Sequence, residues 1–381
     1  MLNIGLLGFG VVGQGVYHQV CSRSDLAIRR ILVRRSREEI EALAARDIRE
    51  IVEDDSIHIV VEVMGGLHPA YEYICAALEA GKHVVTANKA VISAYYRELT
   101  ELAARKGVAL RCTAAAGGGI PWLTTLERCR RMDTIHAIRG IMNGTTNYIL
   151  DAMHRQGADF DAVLHKAQAL GYAEADPAAD IDGDDIRRKL VISANIAFGC
   201  VVPEEAVPTF GIRTISAADV AAFQAAGFAC KLLASARRVE QGMAIRVEPT
   251  LVSEHSLEAS VPENYNLISY DAALLGRQSF FGQGAGRQPT AANVVQDCLD
   301  ILQGATGFYT RSMENVTVDN SGAMQRYYVR TPSRDAWLDG LAEETMGPGI
   351  ITRPVSAGEM LTWARKQAGQ DGSTFIAALD A

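Results

Sequence analysis

The chain has 381 residues, a length that corresponds to two or three domains at about 100–200 residues per domain. Hydrophobic residues make up 48% and charged residues 22%, which excludes disordered, collagen-like and low-complexity classes. The formal net charge is −8 and the sequence has no basic block, so we expect neither nucleic acid nor a membrane to be the main partner.

The cysteines and the N-terminus indicate the compartment. The seven cysteines lie far apart in the sequence, without the paired spacing of a zinc or redox site. The first residues run directly into an apolar strand and lack the features of a secretory leader. The longest apolar stretch, 191–202, is too short to span a bilayer. We therefore expect a cytoplasmic protein whose cysteines are small apolar side chains.

Strands and helices alternate in the first part of the chain. The apolar pattern predicts strands at 3–7, 26–34, 57–63, 83–86 and 108–112, and helices at 12–21, 38–46, 70–80 and 94–106. This alternation predicts an α/β fold with an N-terminal, Rossmann-type, doubly wound parallel sheet. Its strands are apolar on both faces, as burial between two layers of helices requires.

The pattern changes after the glycine-rich run at 117–119. Here it predicts a strand at 134–142 and helices at 143–155, 160–170 and 186–198, then helices followed by strands at 244–251, 265–270 and 279–281, and a helix at 290–302. This arrangement is typical of an α+β domain that binds substrate or forms a dimer interface.

The last residues have a pattern of their own. We predict strands at 327–330, 350–354 and 375–378 and helices at 336–344 and 357–368. The predicted organisation is a dinucleotide-binding domain at 1–130, with 285–310 packing back on it. A substrate-binding and dimerisation domain follows at 131–284, and a small C-terminal lobe at 326–381.

A glycine fingerprint lies between the first predicted strand and the first predicted helix. Its residues are Gly8, Phe9, Gly10, Val11, Val12 and Gly13. In this position Gly8 allows a tight turn, Gly10 lets the backbone approach a pyrophosphate, and Gly13 lets the helix pack closely on the strand. The free N–H groups of the helix N-terminus then face the phosphates. The motif predicts a bound nicotinamide dinucleotide.

The end of the second predicted strand bears on the choice between NAD and NADP. An acidic residue there would bind the ribose 2′-hydroxyl of NAD. The run contains Arg34, Arg35, Ser36 and Arg37 instead, and these side chains suit the 2′-phosphate of NADP. The alternative is a solvated charge run at a strand end. NADP is therefore favoured, and NAD stays open.

Three polar clusters follow the fingerprint. Asn88 and Lys89 come directly after the fourth predicted strand, at the edge where doubly wound sheets bind ligands. A polar loop at 143–148 opens a helix. An acidic segment at 171–185 leads into Lys189, which lies four residues after Asp185 and shares its helix face. The alternative for this last pair is a surface salt bridge.

With these motifs the sequence resembles the homoserine dehydrogenase family over about residues 1–310. The resemblance rests on the runs 8–13, 81–89, 117–121, 143–150 and 171–177, on Gly183, Asp185 and Lys189, and on the late glycine loop at 282–286 with Pro289 to Ala291. The Asn-Gly-Thr-Thr-Asn-Tyr and Gly-Tyr-Ala-Glu-Ala-Asp-Pro runs are more specific than the Rossmann glycines.

The resemblance implies the interconversion of L-homoserine and L-aspartate 4-semialdehyde with NADP or NAD, in threonine and methionine biosynthesis. It implies that Lys189 transfers the proton, with Lys89 assisting, and that a homodimer or homotetramer forms. The implied substrate-binding residues are Glu174, Asp185, Asp180 and Lys189, and the implied further cofactor contacts are Asn88, Lys89, Thr145 and Gly286. Two alternatives stay open, a dehydrogenase for another amino or hydroxy acid and a nicotinamide-binding sensor that has lost catalysis.

The sequence departs from the family in two places. The family carries a Glu beside a monovalent cation where this chain has Thr113, so a cation site at the carbonyls of Ala116 and Gly118 lacks its carboxylate. Long family members end in an ACT regulatory domain, and residues 326–381 have a shorter pattern that is similar to one. Threonine feedback is therefore not carried over.

Overall fold

The computed structural model describes residues 1–35, 37–240, 242–305 and 314–380, and it divides into two units. The first contains Met1–Met132, Val191–Val201 and Gln283–Asn315, and the second contains Asp133–Leu190, Val202–Gly282 and the chain from Val316 onward. Ser36 of the predicted phosphate-binding run lies outside the described residues. None of the helices in the described ranges is long and apolar enough to cross a membrane.

The strands and helices have the following bounds. The strands are β1 Leu2–Leu7, β2 Leu26–Leu32, β3 Ala44–Ala45, β4 Ile59–Glu62, β5 His83–Thr86, β6 Leu110–Arg111, β7 Ile135–Ile141, β8 Phe228–Val239, β9 Gly242–Ser253, β10 Tyr265–Ala272, β11 Gly276–Gln283, β12 Met324–Gln325, β13 Tyr327–Arg330, β14 Ala342–Met346, β15 Gly349–Thr352, β16 Val355–Ser356 and β17 Phe375–Leu379. The α-helices are α1 Val11–Cys21, α2 Arg49–Val52, α3 Ala70–Glu79, α4 Lys89–Lys106, α5 Trp122–Arg130, α6 Gly144–Gln156, α7 Phe160–Ala169, α8 Ala178–Ile181, α9 Asp184–Phe198, α10 Ala217–Ala225, α11 Arg287–Leu302, α12 Ala336–Asp339 and α13 Ala357–Asp371. Short 3₁₀ helices lie at Glu38–Leu43, Thr113–Ala115 and Glu204–Ala206.

The sheet of the first unit is parallel, and its strands run in the order β3-β2-β1-β4-β5-β6. The order reverses at β1, so β1 and β4 flank the switch point where such sheets bind ligands. Ile4 and Leu6 of β1 pack with residues of α1 and α11 in one apolar cluster. Burial of these side chains stabilises the sheet. This confirms the predicted Rossmann-type sheet.

The sheet of the second unit is mixed, with the order β11-β10-β7-β8-β9-β17-β13-β15-β14. Strands β7, β8, β9 and β10 pair antiparallel, whereas β17 pairs parallel with β9 through Ala378 and Leu379. The C-terminal residues thus extend the sheet of the second unit. Their similarity to an ACT domain stays a prediction.

Three local predictions differ from the structure. The helix predicted at 336–344 is wrong, because α12 ends before Gly340 and the chain continues as β14, whose Glu344 pairs with Arg326 at 2.7 Å. The helix predicted at 38–46 is a 3₁₀ helix followed by β3. The prediction also missed β8, in which the buried Lys231 interrupts the apolar pattern.

Candidate active site

The glycine fingerprint forms a turn between β1 and α1, and each glycine has a different role. Gly8 has φ +99°, a conformation that other residues rarely adopt. A Cβ on Gly13 would collide with the carbonyl oxygen of Gly8, so only glycine allows the helix to approach. A Cβ on Gly10 would meet nothing within 4 Å, which leaves open space beside the N–H groups that begin α1. The turn therefore fits a pyrophosphate.

The basic run lies beside this turn. The Gly8 N–H donates to the carbonyl of Leu32, the last residue of β2, at 3.1 Å. Arg34 and Arg35 follow at the exposed end of the strand. The guanidinium carbon of Arg37 lies 5.7 Å from the centre of the Phe9 ring, a cation–π contact with the fingerprint itself. The structure thus places exposed cations beside the glycine fingerprint.

A buried carboxylate that sequence reasoning missed ends β4. The Glu62 side chain is fully buried and accepts hydrogen bonds from the Thr86 hydroxyl at 2.6 Å and the Met64 N–H at 2.7 Å. The side-chain amide of Asn88 donates at 3.4 Å to the same oxygen that accepts from Met64. Burial raises the pKa of Glu62, and these hydrogen bonds oppose the rise. The sequence feature that could have indicated this residue is a single acid at the end of an apolar strand.

Glu62 and Thr86 hold the segment that carries Lys89. The Thr86 hydroxyl accepts from the Asn88 N–H at 2.9 Å, and the Asn88 side chain donates to the carbonyl of Gly66 at 2.8 Å. The same side chain caps α4 by accepting from the Val91 N–H. Lys89 is half-buried as the first residue of that helix, at the carboxyl edge of the sheet, as predicted.

The loop with the predicted cation ligands packs against the region around α11. Gly118 has φ +56°, and a Cβ there would collide with the backbone of Gly284. The side-chain amide of Asn293 donates to the carbonyl of Gly118 at 2.5 Å and to that of Ile120 at 3.2 Å. Gly286 directly precedes α11 and has φ +121°. The Gly118 carbonyl, a predicted cation ligand, thus accepts a hydrogen bond from an amide.

Thr113, which stands in place of the family's Glu, binds a carboxylate. Its N–H and hydroxyl donate to the two side-chain oxygens of Asp297 at 2.9 and 2.6 Å. The buried Arg111 adds an ion pair to Asp297 at 2.9 Å. Burial raises the pKa of Asp297, and the nearby Arg111 opposes the rise. Elsewhere in the described ranges, no group of three or more His, Cys, Asp or Glu side chains could hold a metal ion.

In the second unit the structure brings Lys189 and Asp185 together inside the protein. The ammonium nitrogen of Lys189 lies 2.7 Å from the carboxylate of Asp185 and donates to the carbonyl of Met142 at 2.8 Å. Both side chains are buried, because α9 turns the face that carries them inward. The pair is therefore not a surface salt bridge, which was the alternative interpretation.

Asn143 links this pair to a second carboxylate. Its amide nitrogen donates to Asp180 at 2.7 Å and to Asp185 at 2.9 Å, while its oxygen caps α6 by accepting from the Thr146 N–H. Burial raises the pKa of Asp180, and the nearby negative charge of Asp185 raises it further. With two carboxylates and one ammonium, the cluster carries a net charge of −1 and suits a cationic group.

Two other predicted site residues are Thr145, which contacts the acidic segment, and Glu174, which belongs to it. The hydroxyl of Thr145 donates to the carbonyl of Tyr172 at 2.6 Å and so fixes the start of the acidic segment. Glu174 is exposed on that segment, and its backbone carbonyl accepts from the side chain of Gln168. The structure thus groups Asp180, Asp185 and Lys189 and leaves the carboxylate of Glu174 at the surface.

Asn147, in the same sequence motif, has a structural contact that sequence reasoning missed. Its side-chain oxygen accepts from the fully buried Lys231 at 2.9 Å, and its amide donates to the carbonyl of Glu263 at 2.8 Å. Lys231 also donates to the carbonyl of Val261 at 3.0 Å. Burial lowers the pKa of Lys231 to about 8. The two side chains therefore anchor the loop at 261–263 beside α6.

Comparisons with known proteins identify the family of this chain. Residues 8–113 match the model of the homoserine dehydrogenase NAD-binding domain, and residues 121–299 match that of homoserine dehydrogenase. The homoserine dehydrogenase of Synechocystis is 42% identical over 352 residues, which cover 88% of this chain and 80% of that protein. That of Corynebacterium glutamicum is 41% identical over 314 residues, covering 78% and 71%.

Solved structures show the same likeness. A homoserine dehydrogenase from Thiobacillus denitrificans superposes with a TM-score of 0.86 at 32% identity and covers 100% of this chain and 98% of that one. A hyperthermophilic archaeal homoserine dehydrogenase in complex with NADPH gives 0.69 at 25% identity, covering 80% and 98%. The fold, the motifs and these relatives agree, and the chain belongs to the homoserine dehydrogenase family of oxidoreductases.

Proposed function

We propose that this chain oxidises L-homoserine to L-aspartate 4-semialdehyde and catalyses the reverse reduction, using a nicotinamide cofactor. The observation that carries the proposal is the buried cluster of Lys189, Asp185 and Asp180 in the second unit. It offers a proton carrier and a net negative charge to one substrate. An amino alcohol with an ammonium group needs both.

The substrate's ammonium group has a complementary partner in the paired carboxylates. Asp180 and Asp185 share the amide of Asn143, so both are held in place before the substrate arrives. Their negative charges exceed the single positive charge of Lys189. Charge-assisted hydrogen bonds of this kind are roughly twice as strong as neutral ones. Glu174, on its exposed segment, is a further carboxylate for the same ammonium group.

Lys189 is the group that moves the proton. In the reductive direction its nitrogen donates a proton to the carbonyl oxygen of the aldehyde, and in the oxidative direction the neutral amine accepts the proton of the hydroxyl. The Met142 carbonyl at 2.8 Å and Asp185 at 2.7 Å fix the position of that nitrogen. A bound nicotinamide supplies the hydride acceptor or donor. Lys89 assists as an orienting cation.

We further propose NADP as the preferred cofactor. Arg34 and Arg35 are exposed directly after β2, and Arg37 stacks on Phe9 of the fingerprint. Guanidinium groups bind phosphate through paired hydrogen bonds, and the strand end lacks the acid that would bind a free ribose hydroxyl. The NADPH bound to the archaeal relative supports the same choice.

The reaction is tested by initial rates of NAD(P)⁺ reduction with L-homoserine and with L-serine, which is one methylene shorter. We expect kcat/KM for homoserine to exceed that for serine by about 100-fold, since one methylene in a fitted pocket is worth 10- to 200-fold. Equal turnover of several hydroxy amino acids would instead indicate a dehydrogenase of broad specificity. Cofactor binding without turnover would indicate a sensor.

The cofactor choice is tested by Arg34→Ala and Arg35→Ala. We expect each variant to raise KM for NADP⁺ about tenfold and to leave KM for NAD⁺ unchanged, because only the phosphate ester contacts these cations. Arg29→Ala removes an exposed arginine from the middle of β2 and serves as the matched control. Equal effects on both cofactors would contradict the assignment.

A further inference from the structure

The carbonyl oxygens of Gly118 and Ile120 converge on a single side chain, that of Asn293 on α11. Its amide nitrogen lies 2.5 Å from one oxygen and 3.2 Å from the other, and the side chain is buried. The orientation of the amide is determined by these neighbours, since its own oxygen would be repelled by two carbonyl oxygens. The N–H hydrogens, which carry a partial positive charge, therefore lie between them.

Two convergent backbone carbonyls are also the kind of ligand that a hard cation selects. An N–H donor and a cation cannot occupy the same point between the same pair of oxygens. The loop has little freedom to open and admit both. Gly118 packs against the backbone of Gly284, and the N–H of Gly119 donates to the carbonyl of Gln283 at 3.0 Å. The amide and a cation therefore exclude each other.

A carboxylate on the same helix is likewise held by protein groups. Asp297 lies four residues after Asn293 on the same helix and accepts the N–H and hydroxyl of Thr113. Arg111 forms an ion pair with it and with Asp300 at 2.6 Å. Protein donors, the guanidinium of Arg111 among them, thus satisfy the oxygens of this carboxylate.

We propose that the side-chain amide of Asn293 takes the place of a monovalent cation between the carbonyls of Gly118 and Ile120, so that the folded chain requires neither Na⁺ nor K⁺. One side of α11 then supplies an amide for the glycine loop and, through Asp297, an acceptor for Thr113 and Arg111 in the segment before it.

The experiment measures thermal unfolding midpoints in NaCl, KCl and choline chloride at equal ionic strength. We expect the same midpoint for the unchanged chain in all three salts. Asn293→Ala should lower it by about 5 °C in choline chloride, because two buried carbonyls lose their donor. NaCl or KCl should recover part of that loss, because the emptied point between the carbonyls becomes a cation site.

Asn293→Asp sharpens the test, since it keeps the shape and replaces the donor by a negatively charged acceptor. This variant should depend on Na⁺ or K⁺ more strongly than Asn293→Ala. Asn320→Ala is the matched control, because the buried amide of Asn320 donates to the carbonyl of Ile245 at 3.0 Å in the second unit. We expect it to lose stability equally in all three salts.

Three outcomes would overturn the proposal. The first is a midpoint of the unchanged chain that rises saturably with Na⁺ or K⁺ relative to choline. The second is a loss in both Asn293 variants that no salt recovers, and the third is failure of both variants to fold in every salt. The midpoint is read without substrate or cofactor, so none of these outcomes depends on the reaction proposed above.

Discussion

Lys189 and Lys231 are both buried in the second unit, with 8% and 2% of their surface exposed, yet their surroundings differ. The ammonium of Lys189 faces the carboxylate of Asp185 and a backbone carbonyl. That of Lys231 donates to two neutral oxygens, from Asn147 and Val261, and burial lowers its pKa to about 8, although the charge of Asp151 opposes the fall. Burial alone therefore does not identify a catalytic lysine.

The two lysines also differ in the groups to which they belong. Lys189 belongs to a charged cluster with two carboxylates and a net charge of −1, and we propose that this cluster binds the substrate cation and exchanges the proton. Lys231 closes the loop at 261–263 against α6 and acts as a structural donor. We propose that Lys189 is the catalytic lysine of the two, because its ammonium contacts a carboxylate directly, at 2.7 Å.

The largest expected effect separates the two lysines directly. Lys189→Ala should lower kcat/KM for homoserine by about 10²- to 10⁴-fold, the usual contribution of a positioned acid or base. Lys231→Met should change it by less than about tenfold, because this lysine only anchors a loop. Both rates are measured as homoserine-dependent reduction of NADP⁺, together with the dissociation constant of NADPH.

The dissociation constant is the internal control for this pair. Lys189→Ala should bind NADPH as the unchanged chain does, since the fingerprint belongs to the first unit. A Lys189→Ala variant with the original rate would remove the proton-transfer assignment. If Lys231→Met is as inactive as Lys189→Ala, the proposed difference in role between the two lysines is wrong.

The second prediction concerns stability at alkaline pH. The pKa of Lys231 is lowered from 10.5 to about 8, so between these values the unfolded chain binds about one more proton than the folded chain. The free energy of unfolding therefore gains a contribution that rises with pH across this window, to about 3 kcal/mol at 1.36 kcal/mol per pKa unit.

Lys231→Met should remove this contribution. The measurement is urea unfolding at intervals from pH 7 to pH 10.5, expressed as the difference between the unchanged chain and the variant. That difference cancels the titration of other groups. A difference that stays flat across the window would mean that Lys231 remains charged in the folded protein.

Glu62 is a buried carboxylate of the first unit whose hydrogen-bond donors are neutral. Glu62→Gln should destabilise the chain by about 1–3 kcal/mol, because the amide places a donor where the carboxylate accepts from Thr86 or Met64. The shifted Asn88 should also raise KM for the cofactor. Urea unfolding and initial rates measure both effects.

Thr86→Ser is the matched control for Glu62, since it keeps the hydroxyl that donates to the carboxylate at 2.6 Å. We expect Thr86→Ser to remain close to the unchanged chain in both measurements, and Thr86→Ala to resemble Glu62→Gln. If Glu62→Gln has full stability and an unchanged KM, the carboxylate does not position Asn88.

Local patterns predicted the parts of the molecule that depend on nearby residues. The spacing of Gly8, Gly10 and Gly13 predicted the turn, and the four-residue spacing of Asp185 and Lys189 predicted their common helix face. Both follow from backbone geometry within one or two turns of chain. The family resemblance then supplied the roles.

The contacts that sequence reasoning missed join residues far apart in the chain. Lys231 meets Asn147 across 84 positions, and Asn293 meets Gly118 across 175. Such pairs form only when the sheet and helices are assembled, so the hydrophobic periodicity of the sequence does not predict them. The helix predicted at 336–344 failed for a related reason, since pairing of β14 with β15 outweighs local propensity there.

The smallest expected effect tests whether the charge of the Lys189 cluster, rather than its hydrogen bonds, attracts the substrate. Asp180→Asn keeps an oxygen for the Asn143 amide and reduces the net charge from −1 to zero. KM for homoserine should rise about tenfold while kcat changes by less than about threefold, since a hydrogen bond to a charged group contributes about 1.5–3 kcal/mol. Stability should be unchanged or slightly higher, because burial and the neighbouring Asp185 make the charge of Asp180 unfavourable and raise the pKa of this carboxyl group.

Asp182→Asn is the control. Asp182 forms an ion pair with Arg213 at 2.6 Å, so its substitution should leave KM unchanged. An unchanged KM in Asp180→Asn with a clear loss of stability would place Asp180 with Lys231, as a residue that holds the fold and does not bind the substrate.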